Sequence, residues 1–185
     1  MGKAPWKGKY VRNDSSGLYL RTPYSTTFCT HMLSDESLKK IEELKKRYQS
    51  PQSVVLAALW MWQEEHGWIS DEGMRFVAEC LGIPAHHVYG VVSFYTMFNR
   101  KPVGKHKIEV CTNVSCMLRN SDRILNHIKE RLHVGVGETT ADNKFTLVEA
   151  ECLGSCGTAP MMQIGDEYHE NLDEAKVDKI LSDLQ

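Results

Sequence analysis

"KIEVCTNVSCMLRN", residues 107–120, holds two cysteines, Cys111 and Cys116, five positions apart at the end of an apolar run. Lys107 to Cys111 reads as a β-strand, with Cys111 closing it and Cys116 in the loop that follows. Downstream, "KFTLVEAE" (144–151) reads as a second strand. "ECLGSCGTAP" (151–160) then puts Cys152 at its end and Cys156 in the next loop. If the two strands are neighbours in one sheet, both loops emerge at the same edge and four thiolates converge. The sheet, not the local chain, would then bring together pairs that are far apart in sequence.

Four readings compete for such a set. A [2Fe–2S] cluster takes four thiolates, two on each iron. A structural zinc also takes four, but its usual knuckle is C-x2-C, whereas these pairs are C-x4-C and C-x3-C. Disulfides suit an oxidising compartment, and no export signal is visible in the chain. A thioredoxin-type redox pair wants C-x-x-C, which is absent. The spacing favours the cluster. Gly154, Ser155 and Gly157 add unhindered backbone N–H groups that can approach sulfur, with Thr112, Asn113 and Ser115 in the first loop in the same position. Ordinary turn chemistry accounts for those residue types equally well.

Working outward, "SDRILNHIKERL" (121–132) reads as a helix capped by Ser121. "MMQIGDEYHE" (161–170) reads as a hairpin turning at Gly165-Asp166, and "LDEAKVDKILSDL" (172–184) as a closing helix. The order β-α-β-β-β-α predicts a small α/β domain over 107–185. Before it, "NRKPVGKH" (99–106) has the texture of a linker. Residues 31–98 carry four helix signals. Ser34 caps a helix with Leu38, Ile41, Leu44 and Tyr48 on one face, and Ser50-Pro51 opens another that runs to Gly67. Ser70 starts a third that ends at Gly82, and Pro84 opens a fourth, "AHHVYGVVSFYTMF". Short connections predict a four-helix bundle. Residues 1–30 read as an irregular basic arm, five Lys/Arg against Asp14 alone. Its aromatics (Trp6, Tyr10, Tyr19, Tyr24, Phe28) give it a second reading, an arm that docks on a partner.

The 185 residues carry 42% apolar and 25% charged residues and a formal net charge of −2. That composition suits a globular chain and argues against a dedicated nucleic-acid binder. No apolar run reaches the ~18 residues of a membrane-spanning helix. No G-x-G-x-x-G fingerprint is present, so the sequence shows no Rossmann-type dinucleotide site. Met1-Gly2 meets Trp6 where a myristoylation signal wants Ser or Thr. Cys80 reads as a buried apolar residue and Cys29 as a free thiol in the arm. His86 and His87 are adjacent, so on a helix they point about 100° apart and do not chelate one ion. Trp60, Trp62, Trp68 and "FYTMF" (94–98) read as bundle core, or as a docking face. Arg119 reads either as a charge near the cysteines or as a solvated residue.

"FYTMFNRKPVGKHKIEVCTNVSCMLRNSD" and "VGETTADNKFTLVEAECLGSCGTAPMMQI" closely resemble the iron–sulfur subunit that partners the flavoprotein of respiratory complex I, NADH:quinone oxidoreductase. The resemblance covers about residues 34 to 184. It implies an α+β chain, a small helical bundle followed by a thioredoxin-like domain carrying a [2Fe–2S] cluster. It implies Cys111, Cys116, Cys152 and Cys156 as the iron ligands. FMN and NADH are implied to sit on the partner flavoprotein subunit, with further peripheral-arm subunits as neighbours and no direct membrane span. The implied function is one-electron exchange between cluster and FMN, so the isolated chain would be an electron carrier within an oxidoreductase. Equivalent subunits serve NAD-linked hydrogenases and formate dehydrogenases. A zinc-stapled structural adaptor is the reading from a different class. Thioredoxin-like folds often place a proline, sometimes cis, before the strand beside the redox site, and Ala159-Pro160-Met161 stands in a matching place. A start without amphipathic character favours the cytoplasmic face of a bacterial plasma membrane, with the mitochondrial matrix side as the alternative.

Overall fold

A computed structural model describes residues 9–12, 18–21 and 32–184. Cys29 and most of the arm lie outside the described residues. Within the arm, β1 (Lys9–Arg12) and β2 (Leu18–Arg21) pair antiparallel, Lys9 opposite Arg21. That departs from a wholly irregular arm. Tyr10, Val11 and Tyr19 are residue types that favour strands. The chain divides into two compact units, 1–101 and 102–185.

Among its described residues, the first unit contains four α-helices. In α1 (Asp35–Arg47) the Ser34 hydroxyl accepts from the Ser37 N–H, acids fill the first turn and Lys45, Lys46 and Arg47 the last, in line with the helix dipole. The Glu65 carboxylate accepts from the Ser34 N–H (2.8 Å) and from the Ser34 (2.7 Å) and Ser37 (2.6 Å) hydroxyls, tying the end of one helix to the start of another. The expected second helix begins as a 3₁₀ turn at Pro51–Val54, and α2 proper runs Val55–His66. Helix α3 (Asp71–Leu81) is capped by Ser70, and α2 and α3 end at Gly67 and Gly82 as their sequences suggest. Buried Gln63 donates to the Met97 carbonyl (3.0 Å) and accepts from the Asn99 N–H (2.7 Å), so Asn99 is anchored within this unit.

Helix α4 (Ala85–Phe94) stops earlier than the apolar run "AHHVYGVVSFYTMF" suggests. Its inward face is Val88 and Val92. Phe94, two residues on and about 200° round the helix, is 77% exposed. The aromatics therefore divide. Trp62 and Phe98 are core, while Trp60, Phe94 and Tyr95 are exposed.

The second unit is a five-stranded mixed sheet in the order β4-β5-β3-β6-β7. Its strands are β3 (His106–Cys111), β4 (Glu138–Thr139), β5 (Phe145–Ala150), β6 (Met162–Ile164) and β7 (Glu167–His169). Ile108, Val110, Leu147 and Met162 meet Ile124 and Ile128 of α6 (Ser121–Leu132) and Val177 and Leu181 of α7 (Glu174–Asp183) in one core. Arg123 and Glu174 bridge these two helices at 2.7 Å. Three elements escape the sequence reading: the two-residue β4, a short helix α5 (Val114–Leu118) and a 3₁₀ turn at Cys156–Thr158, where the sequence suggests a loop. The second corrects the loop expected around Cys116 and displaces the expected cap. Asn120, left-handed at φ 64°, links α5 to α6, and Ser121 is the first helical residue, fully buried. Helix and mixed sheet together make an α+β chain. The hairpin turns at Gly165, whose φ of +59° suits glycine.

A four-cysteine candidate site

β3 and β5 are parallel neighbours, with Cys111 in register with Ala150. Both strands thus deliver their following loops to one edge of the sheet, the arrangement that the cysteine spacing requires. Cys111 ends β3, its thiol donating to the Glu151 carbonyl at 3.0 Å. The next turn is closed by Asn113, whose side chain accepts from the Val114 N–H (2.8 Å) and starts α5. Cys116 lies on that helix. Cys111 and Cys116 are 3% and 2% exposed and pack with Ala159 and Met161. Across the edge, Cys152 and Cys156 are exposed, their sulfurs 4.0 Å apart. The Ala159-Pro160 peptide bond beside them is cis.

Burial pushes the Cys116 thiol up to about 11, reinforced by its hydrogen bond with Cys111 and by the charges that Cys111 and Cys156 would carry. A backbone hydrogen bond from Met161 pulls the other way. Cys116 is therefore disfavoured as a thiolate unless a cationic partner compensates it. Four soft sulfur donors at one edge, two sunk and two open, fit iron or zinc. Among the described residues no three Cys, His, Asp or Glu side chains form a ready-made cage for one ion. A binuclear cluster asks only two thiolates of each iron.

One glycine, Gly154, shapes the loop between Cys152 and Cys156, and a second, Gly157, follows it. Gly154 has φ +84°, a conformation that side chains resist. Gly157 has ordinary backbone angles, and apart from its chain neighbours nothing stands within 4 Å of where a Cβ would be, so an added methyl has room. Gly154→Ala should lower the stability of the chain by about 1–2 kcal/mol, and Gly157→Ala should leave it unchanged or raise it by up to ~1 kcal/mol. Urea denaturation of the two variants, with metal removed, checks this contrast.

Residues that carry no signal in the sequence buttress this loop. The Tyr168 hydroxyl donates to the Leu153 carbonyl (2.8 Å). The Glu170 carboxylate accepts from the Ser155 and Thr158 hydroxyls, the latter at 2.7 Å. No local motif marks these two; they arrive because the β6–β7 hairpin folds back. Arg119 caps α5 through its backbone and is exposed. His86 is exposed in the first turn of α4. Cys80 is half-buried in α3.

The thioredoxin-like [2Fe-2S] ferredoxin family model matches residues 41–185. The chain is 42% identical over 147 residues to an NADH-quinone oxidoreductase subunit of Rhizobium meliloti (strain 1021), covering 80% of this chain and 88% of that one. It is 41% identical over 178 residues to the mitochondrial NADH dehydrogenase [ubiquinone] flavoprotein 2 of Dictyostelium discoideum, covering 95% of this chain and 72% of that one. The crystal structure of an NAD+-reducing [NiFe]-hydrogenase in the H2-reduced state superposes with a TM-score of 0.63 at 21% identity, over 71% of this chain. This chain spans 22% of that hydrogenase chain's length.

Proposed function

Because this chain belongs to the thioredoxin-like [2Fe-2S] ferredoxin family, we propose that Cys111, Cys116, Cys152 and Cys156 hold its [2Fe–2S] cluster. The chain is an electron-transfer subunit of the NADH-oxidising module of NADH:quinone oxidoreductase, the complex named for its relatives at 41–42% identity. The observation that carries the ligand assignment is the parallel register of Cys111 with Ala150, which gathers both cysteine pairs at one edge. A bound cluster supplies a one-electron store. The chain's own residues do the rest. Cys111 and Cys116 are held in an apolar pocket by Ala159 and Met161, which limits rearrangement there. Cys152 and Cys156 lie on the open side, where a partner can approach.

The electron donor on this reading is FMN on a flavoprotein partner, reduced there by NADH. Val114, Met117 and Leu118 support docking beside the cysteines. All three are exposed on α5, Leu118 by 75%, around a buried Cys116. Exposed apolar side chains clustered in this way mark interaction surfaces. Leu118→Glu should leave folding within about 0.5 kcal/mol and weaken capture of the flavoprotein subunit at least about tenfold, a loss of ~1.4 kcal/mol. Pull-down of the flavoprotein subunit from reconstituted mixtures measures it. The functional test adds NADH to the same mixtures. The cluster should be reduced only when chain and flavoprotein are both present, and slowly with the Leu118→Glu variant.

Two other readings remain distinct. An equivalent subunit of an NAD-linked hydrogenase or formate dehydrogenase keeps the chemistry, but the hydrogenase likeness is one of fold, at 21% identity. A zinc-stapled adaptor would give a colourless protein. No helix among the described residues is long and apolar enough to cross a membrane, which suits a peripheral subunit. Of the two settings, the mitochondrial matrix side gains support from the 95% coverage by the Dictyostelium relative, which takes in part of the N-terminal arm. The bacterial cytoplasmic face is the other.

A further inference from the structure

The second cysteine loop is held by a comb of bonds from a segment that contains no cysteine. Tyr168 binds the Leu153 carbonyl. The backbone N–H of Asn171 donates to the Thr158 carbonyl (2.7 Å) and that of Leu172 to the Pro160 carbonyl (3.0 Å). At the centre, one carboxylate oxygen of Glu170 takes both the Ser155 and the Thr158 hydroxyl hydrogen bonds, and those hydroxyls lie 2.8 Å from each other. Ser155 is the residue directly before Cys156. Lys176 binds the backbone carbonyl of Glu170 rather than its carboxylate. From there its ammonium acts on the Glu170 carboxylate through space, without a direct ion pair among the described residues, so it attenuates that charge but does not pair with it.

We propose that Glu170 is the positioning residue of the Cys152–Cys156 loop: its carboxylate fixes Ser155 and Thr158 and keeps a negative charge beside the bound cluster, which makes that cluster harder to reduce. The proposal rests on the cluster reading given above. The hydrogen bonds from Ser155 and then Thr158, with a smaller contribution from the Lys176 charge, hold the Glu170 carboxyl below the usual range, so it is ionised at neutral pH. Both hydroxyls are occupied by Glu170, so they anchor the loop rather than donate to sulfur. A fixed negative charge near a cluster opposes the added electron. The two roles separate by mutation, because glutamine retains the accepting oxygen and loses the charge.

The test uses the full chain reconstituted with iron and sulfide. Three variants are compared with the parent: Glu170→Gln, Glu170→Ala, and the double change Ser155→Ala with Thr158→Ala. Three quantities are read: the ratio of reduced to oxidised cluster in a redox titration, the rate of iron loss to a chelator, and amide exchange across 153–158 in the metal-free chain. At the parent's midpoint potential, Glu170→Gln should raise the reduced-to-oxidised ratio about threefold, with iron loss unchanged. The double variant should lose iron about tenfold faster while its midpoint stays near the parent's. Glu170→Ala should show both effects and faster exchange across 153–158. If Glu170→Ala does not fold, the other two variants decide. A parent-like midpoint in Glu170→Gln, or parent-like iron retention in the double variant, overturns the proposal. If the parent chain takes up no iron, the cluster reading fails. Amide exchange still judges the positioning role, with equal exchange in parent and Glu170→Ala overturning it and faster exchange in the variant upholding it.

Discussion

Cys156→Ser yields a folded chain that lacks the visible absorption of an iron–sulfur centre. Cys156 is exposed and belongs to neither packed core, so its sulfur contributes little to the fold. Exposed substitutions of this kind change stability by no more than about 0.5 kcal/mol. As one of two thiolates that would hold an iron, however, its loss would leave that iron one ligand short and the cluster poorly held. Cys116→Ser should behave differently. Cys116 is buried beside Cys111, Ala159 and Met161. Replacing the larger, less polar sulfur with a hydroxyl in this apolar packing destabilises by about 1–3 kcal/mol, in addition to the loss of the cluster. Iron analysis and thermal melting of the two variants separate ligand loss from packing loss. A Cys156→Ser chain that keeps its full iron content would remove Cys156 from the ligand set.

Gly73→Ala should be the most damaging single methyl in the helical unit. A Cβ at Gly73 would stand 2.4 Å from Cε2 and 2.6 Å from Nε1 of Trp62. Trp62 has nowhere easy to go. It is 2% exposed, stacks on His66 with ring centroids 4.1 Å apart, and leans on Phe76 at 5.3 Å. Overpacking at such a site costs about 1–3 kcal/mol. The better helix propensity of alanine offsets up to ~1 kcal/mol of that. Gly90→Ala is the control, because nothing lies within 4 Å of a Cβ there. It should gain part of the propensity term and raise the urea midpoint. Equal midpoints for the two variants would contradict the packing described around Trp62.

Two distant cysteine pairs are brought to one sheet edge because their strands are parallel neighbours, and the residues that set those strands are visible in the sequence. Ile108 and Val110 in one strand and Leu147 in the other are buried in the same core. Apolar patterning and thiol spacing therefore point to the same sheet edge, and that part of the site is legible. The helix around Cys116 is not. Its five residues, "VSCML", are too few to show a 3.6-residue period. Once it forms, Asn120 must turn left-handed to reach α6, which moves Ser121 from the expected cap into the helix. Phe94 misleads because it belongs to an apolar run by composition, whereas its angular position on α4 sends it outward. Glu170 is invisible for another reason. Its partners Ser155 and Thr158 are brought to it by a hairpin, and no sequence period records a contact of that kind.

What the four thiols hold decides the function. The direct measurement is the visible spectrum of the anaerobically purified chain, with iron and zinc assayed and EPR recorded after dithionite reduction. A brown protein with about two irons per chain and a rhombic signal near g ≈ 2 on reduction is the predicted result. A colourless protein with about one zinc and no reducible centre would leave the fold intact and contradict the electron-transfer function.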